Sequence, residues 1–460
     1  MKRRSELSYL LPILLILSLG FLLLSVGYAD RSLTATMITK DGPLDISGYS
    51  LAVFPNSLYP AFFVLSFILL HVYIRVRFPE SDPFILPAVA LISGIGLIMM
   101  LRLSPDLAIA RNEAIQSILV RNPDAQVRNN VFALLQLGQR QLSFVVAGIL
   151  LMIVSMNVFN DRVLARISSK KYFWVFLSVV LIVVTLTVGT KINGKRLWLF
   201  GFQTVELVKF LMIMFMSSYI YERGKGIQSS GHTGFRSWAI YGGPFVVMCL
   251  FALAPLFIQG DLGPTFLLFI VFILLFHYAG NRNLITFLFI AMIFAGGYIS
   301  YKSGYPHIVR ERFDMMFDPF GRSESMSRVL WSISSGGIWG SGIGYGQPSR
   351  IPEVQSDFNF AAICEETGLI GAVSLVLAYA VFVWRCLKIA SKTANIYKKT
   401  LITAIGTLIG AQSFIIISGN LNCIPMTGIT LPFVSYGGSS MMMTFLMTGI
   451  VLKISGEKTE

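Results

Sequence analysis

The stretch "FDMMFDPFGRSES" sets Asp314 and Asp318 among phenylalanines and methionines. Farther along, "IPEVQSDFNFAAICEETG" adds Asp357, Glu365 and Glu366, so that these five carboxylates fall between residues 302 and 367. Carboxylates grouped beside a bound sugar or phosphate serve as a general base or as ligands of a divalent ion. Their plainer use is a solvated face with helix caps. Upstream, "KINGKRLWLFGFQTVELVK" gathers Lys191, Lys195 and Arg196 around Trp198. Arginine grips phosphate oxygens bidentately and tryptophan favours headgroup depth, so this cluster suits a phosphorylated lipid headgroup as well as it suits a simple interfacial anchor. The same stretch places Glu206 and Lys209 three residues apart, on one helix face where they can pair. Asp261 in "FIQGDLGPTFLL" lies between Gly260 and Gly263 and suits either an N-cap or a functional carboxylate. Ser435 in "GITLPFVSYGGSS" belongs to a run of small and hydroxylated residues that lets helices pack closely and bond across a bundle.

The elements that must position these groups are membrane helices. Of 460 residues, 55% are hydrophobic and 13% charged, against roughly 25% charged in a soluble domain. Crossing a bilayer takes roughly 20 apolar helical residues, and twelve such runs occur. They lie near 8–28, 58–76, 84–103, 142–159, 172–190, 204–221, 237–257, 262–279, 283–301, 368–387, 401–419 and 434–452. Nothing alternates as barrel strands do, so the chain is an all-α polytopic membrane protein. The first run follows Met-Lys-Arg-Arg and is expected to be a retained helix rather than a cleaved signal, because so many spans follow it. Cys249, Cys364, Cys386 and Cys423 lack CxxC spacing and suggest neither a metal site nor a disulfide framework. His71, His232, His277 and His307 are scattered and are expected to be packed or solvated.

Charge orients the bundle. With the N-terminus in the cytoplasm, the inner segments hold 20 Lys or Arg against 7 Asp or Glu, and the outer ones 16 against 15. Thus +13 of the formal +14 lies inside, as the positive-inside bias requires, and nucleic-acid binding is not needed to explain a basic chain. Both termini are then cytoplasmic. The long polar segments 29–57, 104–141, 191–203 and 302–367 face out, where loops on a rigid scaffold would carry a site. Glu206 and Lys209 remain inside a span, at a cost of about 2.5–3.5 kcal/mol each on permissive scales, which usually marks function.

In their order, "NGKRLWLFGFQTVELVK", "QGDLGPTFLL", "DPFG", "EVQSDFNFAAICEETGLIG" and "GITLPFVSYGGSS" resemble the signatures of the SEDS family (shape, elongation, division and sporulation), the RodA- and FtsW-like proteins. The chain departs from the family pattern at Leu197, Thr204, Val205 and Gly260, and at Val354, Gln355 and Ser356 of "VQSDF". The resemblance implies a ten-helix SEDS-type glycosyltransferase domain over 83–460, with 1–82 an additional region of two transmembrane helices. It implies a peptidoglycan glycosyltransferase of the bacterial cytoplasmic membrane that polymerises lipid II on the outer face, with a class B penicillin-binding protein as partner. A lipid II flippase and a non-catalytic scaffold are the alternatives. In that frame Asp318, which opens DPFG, is the general base. Lys195, Arg196 and Lys209 meet the diphosphate while Trp198 shapes the site. Glu206, Asp261, Asp357 and Glu366 orient helices, loops or a divalent ion, Mg²⁺ or Mn²⁺, and Ser435 joins the substrate-binding set.

Overall fold

The computed structural model describes residues 4–29, 36–39, 42–45, 58–121, 131–192, 195–229, 243–280, 283–304 and 307–457. Helix α1 (Arg4–Ala29), an antiparallel strand pair β1 (Thr36–Thr39) and β2 (Gly42–Asp45), and α2 (Leu58–Arg77) precede α3 (Ile85–Arg121). Short α4 (Val131–Leu135) leads into α5 (Leu137–Val158), followed by α6 (Asp161–Ser168) and α7 (Lys171–Val188). An antiparallel sheet of β3 (Thr190–Ile192), β4 (Lys195–Leu199) and β5 (Phe202–Gln203) then delivers the chain to α8 (Thr204–Ser229). Next come α9 (Gly243–Ile258), α10 (Leu262–Gly280) and α11 (Asn283–Ser303). The rest is α12 (His307–Phe317), α13 (Pro319–Arg322), α14 (Glu324–Gly336), α15 (Asn359–Lys392), α16 (Ile396–Asn420) and α17 (Gly438–Ser455).

Among the described residues eleven helices are long and apolar enough to cross a membrane. The remaining run, 237–257, is represented by α9, and the residues before Gly243 lie outside the described ones. Helices form because hydrocarbon offers backbone N–H and C=O groups no partner, so each span must satisfy its own. α3 and α8 are the most enclosed spans, and the span Thr286–Ser303 of α11 buries none of its residues. Glycine permits the tightest crossings. A Cβ at Gly148 of α5 would lie 2.5 Å from the Phe445 ring of α17, and one at Gly94 of α3 would lie 2.4 Å from Leu17 of α1. Glu6 and His71 pair at 3.3 Å in the interior, which ties α1 to α2.

Three boundaries differ from those read in the sequence, each for a physical reason. The span at 84–103 does not end where Arg102 and Pro105 interrupt its apolar character; α3 runs on to Arg121. The region 302–367 is not an open loop, because α12, α13, α14 and the first turns of α15 occupy much of it. Their short amphipathic patterns lack the length that marks a span. The final run begins as unwound chain, and α17 starts only at Gly438.

A buried ionic brace holds the segment 337–350 to the bundle. Arg102 Nε donates to Glu366 Oε1 at 2.7 Å, Nη1 to Asp106 Oδ2 at 2.6 Å and Nη2 to the Gly346 carbonyl at 2.9 Å. Glu366 Oε2 also accepts the Gly344 N–H at 3.1 Å, and Glu365 Oε1 the Gln347 N–H at 2.6 Å. Here the backbones touch: Gly368 has φ +64° and breaks α15, and a Cβ on it would lie 2.3 Å from the Gly340 nitrogen. Arg102→Leu leaves the Glu366 carboxylate buried without its cation and is expected to cost about 3–5 kcal/mol. Thermal unfolding in detergent would register this as a lowered Tm, largely restored by adding Glu366→Leu. An unchanged Tm in the single variant would show that the brace is not structural.

Candidate active site

The sheet β3–β5 places the basic cluster over the start of α8. Leu199 pairs with Phe202 around Phe200 and Gly201, which have φ of +52° and +78°. Two left-handed residues between paired strands make the tight turn whose twist suits a hairpin. Phe200 projects into the surroundings, almost fully exposed. Lys195 faces Ile192 across the sheet, and its Nζ donates to the Gly260 carbonyl at 2.6 Å. Arg196 is exposed, and its Nη1 donates to the Leu186 carbonyl at 3.1 Å and to that of Thr187, so its guanidinium caps the end of α7. Trp198 is half-buried in β4.

Glu206 and Lys209 sit in the opening turns of α8, where the helix N-terminus favours the acid. They pair at 2.8 Å as their spacing predicts, and both are buried. Lys209 also donates to Gln412 Oε1 of α16 at 3.0 Å, and Gln412 Nε2 donates to the Thr430 carbonyl at 2.7 Å. The intramembrane ion pair is therefore coupled to the unwound segment 421–437. Ser435 belongs to that segment's own bracing: its Oγ accepts the Leu431 N–H at 3.0 Å and donates to the Ser356 carbonyl at 2.6 Å.

Two further carboxylates and one arginine face the same region. Asp261 occupies the turn between α9 and α10, where Gly263 lets the chain approach so closely that a Cβ would lie 2.3 Å from the Thr427 carbonyl oxygen. Its Oδ2 is buried without a hydrogen-bond partner, so that oxygen is not used to cap α10. Burial pushes the Asp261 carboxyl up to about 6, against the pull of Lys195 and Lys209. Asp357 is likewise pushed up to about 6 by burial, opposed by a hydrogen bond with Ser356. Arg312 of α12 acts on both aspartates. Its Nη1 donates to the Thr427 carbonyl at 3.1 Å, and a Cβ built on Gly428 would lie 3.5 Å from its Nη2 and 3.7 Å from Asp357 Oδ2. Burial lowers the Arg312 pKa, and Asp261 and Asp357 counter the shift.

Thus Lys195, Glu206, Lys209, Asp261 and Asp357, all singled out in the sequence, converge on one end of the bundle. Arg312 joins them without having been singled out; its signal was a basic residue in the same stretch as Asp318. Arg102 was also missed, hidden inside an apolar run. Glu366 is placed in the brace with Arg102 instead of in this cluster. Asp318 is exposed at the N-cap of α13, where its Oδ1 accepts the Gly321 N–H at 3.0 Å. It lies six positions after Arg312, and the exposed rings of Phe317 and Phe320 flank it. Among the described residues no three His, Cys, Asp or Glu side chains converge to hold a metal ion.

The family model described as "Cell cycle protein", FTSW_RODA_SPOVE, matches residues 85–460. The chain belongs to this FtsW/RodA/SpoVE family. "Peptidoglycan glycosyltransferase RodA" of Mycobacterium tuberculosis (strain ATCC 25618 / H37Rv) is 27% identical over 428 residues, covering 90% of this chain and 84% of the relative. "Stage V sporulation protein E" of Bacillus subtilis (strain 168) is 30% identical over 329 residues, covering 69% and 86%. A solved structure described as "Structural coordination of polymerization and crosslinking by a peptidoglycan synthase complex" shares the fold. Its TM-score is 0.60 at 23% identity, over 82% of this chain and 97% of that one. The RodA crystal structure from Thermus thermophilus gives a TM-score of 0.55 at 20% identity, over 82% and 96%. As a member of the family, the chain is a multi-pass membrane protein whose motif-bearing turns meet at one end of the bundle.

The raised carboxyls set a pH dependence. Asp261 and Asp357 hold protons in the folded protein up to about pH 6, whereas an unfolded aspartate releases its proton near pH 4, at about 3.9. Their contribution to stability is therefore complete below about pH 4 and is lost as pH rises through about 6. Thermal unfolding between these limits is expected to show Tm falling with pH, and Asp261→Asn to flatten the fall. A slope that Asp261→Asn leaves unaltered would remove this carboxyl from the account.

Proposed function

We propose that this family member is a peptidoglycan glycosyltransferase that polymerises lipid II, with its site on the outer face of the cytoplasmic membrane and both termini in the cytoplasm. The observation that carries the reading is the arrangement of charge at one end of the bundle. A solvent-accessible carboxylate, Asp318, directly follows the helix that delivers Arg312 to the buried group around Lys195, Lys209 and Asp261. The names of the relatives supply the reaction class, and the asymmetry of basic residues supplies the orientation.

In the proposed reaction the 4-hydroxyl oxygen of the acceptor sugar attacks the anomeric carbon of the donor. Its proton passes to the Asp318 carboxylate, and the bond from that carbon to the diphosphate breaks, releasing undecaprenyl diphosphate. Lys195 and Arg312, whose charged groups line the cluster, favour the negative charge that grows on the leaving group. Lys209 is buried and held by Glu206 and Gln412, so it contributes through its field and by fixing α8 against α16. Trp198 shapes the entrance, and Arg196, which caps α7, steadies the hairpin that presents Lys195.

The donor set bears on the proposed divalent ion. Asp261 offers one buried, partnerless oxygen, and no protein-only cage surrounds it among the described residues. That pattern fits Mg²⁺ or Mn²⁺, which are held by one or two carboxylates together with substrate phosphates. When bound there, such an ion would neutralise diphosphate charge. The partner in this reading is a class B penicillin-binding protein; the related complex named for both polymerization and crosslinking supports it.

Purified Asp318→Asn protein, given lipid II, is expected to lose polymerisation by about 10²–10⁴-fold, the range of a general base. Its Tm should stay near that of the wild type, since the residue is exposed. Wild-type polymer from a folded variant would exclude Asp318 as the base. Lipid II translocation by the wild type without any polymer would instead assign a flippase.

A further inference from the structure

α7 and α8 run from the candidate active site to the opposite end of the bundle, where they carry a second set of charges. A cavity of about 420 Å³ opens there, lined by Ser169, Lys170, Lys171, Tyr172, Glu222 and Arg223 beside Phe173. Lys171 is buried, with its Nζ 2.6 Å from Glu222 Oε1 and 4.9 Å from the centre of the Tyr172 ring. The Arg223 Nε lies 3.8 Å from that same Glu222 oxygen. One carboxylate therefore serves two cations. Lys170 adds a third positive charge and makes no ion pair among the described residues. With three cations and one anion in its lining, the cavity holds a net charge of +2.

Three features give this charge a ligand. The cavity lies at the start of α7, where Lys170 occupies the N-cap and makes no side-chain cap bond, so the positive end of the helix adds to the field. Its wall includes Tyr172 and Phe173, large rings about half exposed on the outside of the bundle, as at a membrane interface. Immediately before it, α6 buries Leu164 and leaves Arg162 and Arg166 exposed, the pattern of a helix lying along a headgroup layer. Lys398, which contacts both Asp161 at the start of α6 and Glu457 near the chain's end, places this cavity on the side of the C-terminus.

We propose that this cavity binds the phosphate of an anionic phospholipid in the leaflet opposite the candidate active site. The phosphate oxygens accept from Lys170 and Arg223, the acyl chains pass over Tyr172 and Phe173, and the monoanionic phosphate lowers the surplus positive charge from +2 to +1. A free phosphate would meet the same cations but leave the exposed rings uncovered.

Full-length protein reconstituted in phosphatidylcholine nanodiscs with a minor fraction of phosphatidylglycerol, then released and weighed intact by native mass spectrometry, tests this. The wild type is expected to retain phosphatidylglycerol in preference to phosphatidylcholine. Lys170→Gln with Arg223→Gln should weaken that retention at least about tenfold, the worth of even one of the two charge-assisted hydrogen bonds. Lys388→Gln with Lys392→Gln removes two charges from the same side but outside the cavity, and should change retention little. Equal losses in the two double variants would reduce the effect to surface charge and overturn the site. Binding of inorganic phosphate without any preference for phosphatidylglycerol would overturn the lipid assignment. Because Lys170 and Arg223 reach solvent, an unchanged Tm in the variant is expected and separates lost binding from lost fold.

Discussion

The structure turns on one constraint: an unwound stretch of backbone, buried over Leu431–Ser435, must have its polar groups satisfied by the helices around it. Residues 421–437 leave the helical ladder between α16 and α17, and their polar groups find side chains. Gln412 donates to Thr430, Tyr379 to the Pro432 carbonyl, and Gln141 to Val434 at 3.3 Å and Ser435 at 3.4 Å. The Tyr436 N–H reaches the Gln355 carbonyl at 2.8 Å. Irregular backbone beside membrane helices is tolerated only where protein or a polar cavity surrounds it. Here the same glutamine that holds Thr430 also holds Lys209, so bracing of the segment and placement of the ion pair are one arrangement.

From this follows the division between buried and exposed charge. Glu206 and Lys209 neutralise each other at short range, which makes a charge pair tolerable inside a span. Asp261, Asp357 and Arg312 are arranged more loosely and keep unused hydrogen-bonding capacity, most plainly at Asp261 Oδ2. Buried polar atoms without partners are rare, and one beside two lysines and an arginine marks a place where a further group can bind. Asp318 differs in kind. It is open to solvent and held only by local bonds, so its position depends on α12 and α13.

How much of this was legible in the sequence depended on the range of the interaction that fixes each part. Spans were legible because the bilayer imposes one length and one composition on all of them. The Glu206–Lys209 pair was legible because helix geometry alone brings residues three apart together. The reach of α3 was not, since Arg102 and Pro105 look like an end until Glu366, 264 residues away, supplies the cation's partner. The helices within 302–367 were obscured by their shortness. Arg312 meets Asp357 and Asp261 only through tertiary packing, so no local spacing announces the trio. Gln141 and Gln412 stood in apolar runs with nothing nearby to show what they satisfy.

The two ends of α8 show how one rigid helix can be charged for different surroundings. Near Thr204 its ions are buried, are locked by α16 and sit where the helix dipole favours the acid. Near Glu222 its ions share partners, border a cavity open at the surface and leave positive charge unbalanced. Thr185 and Thr204 join α7 to α8 through a 2.8 Å hydroxyl contact at the enclosed end, while Lys171 and Glu222 join the same two helices at the open one. The pair of helices is thus pinned at both faces. Beyond the enclosed end, β4 sets its Lys195 against the Gly260 carbonyl, beside Asp261.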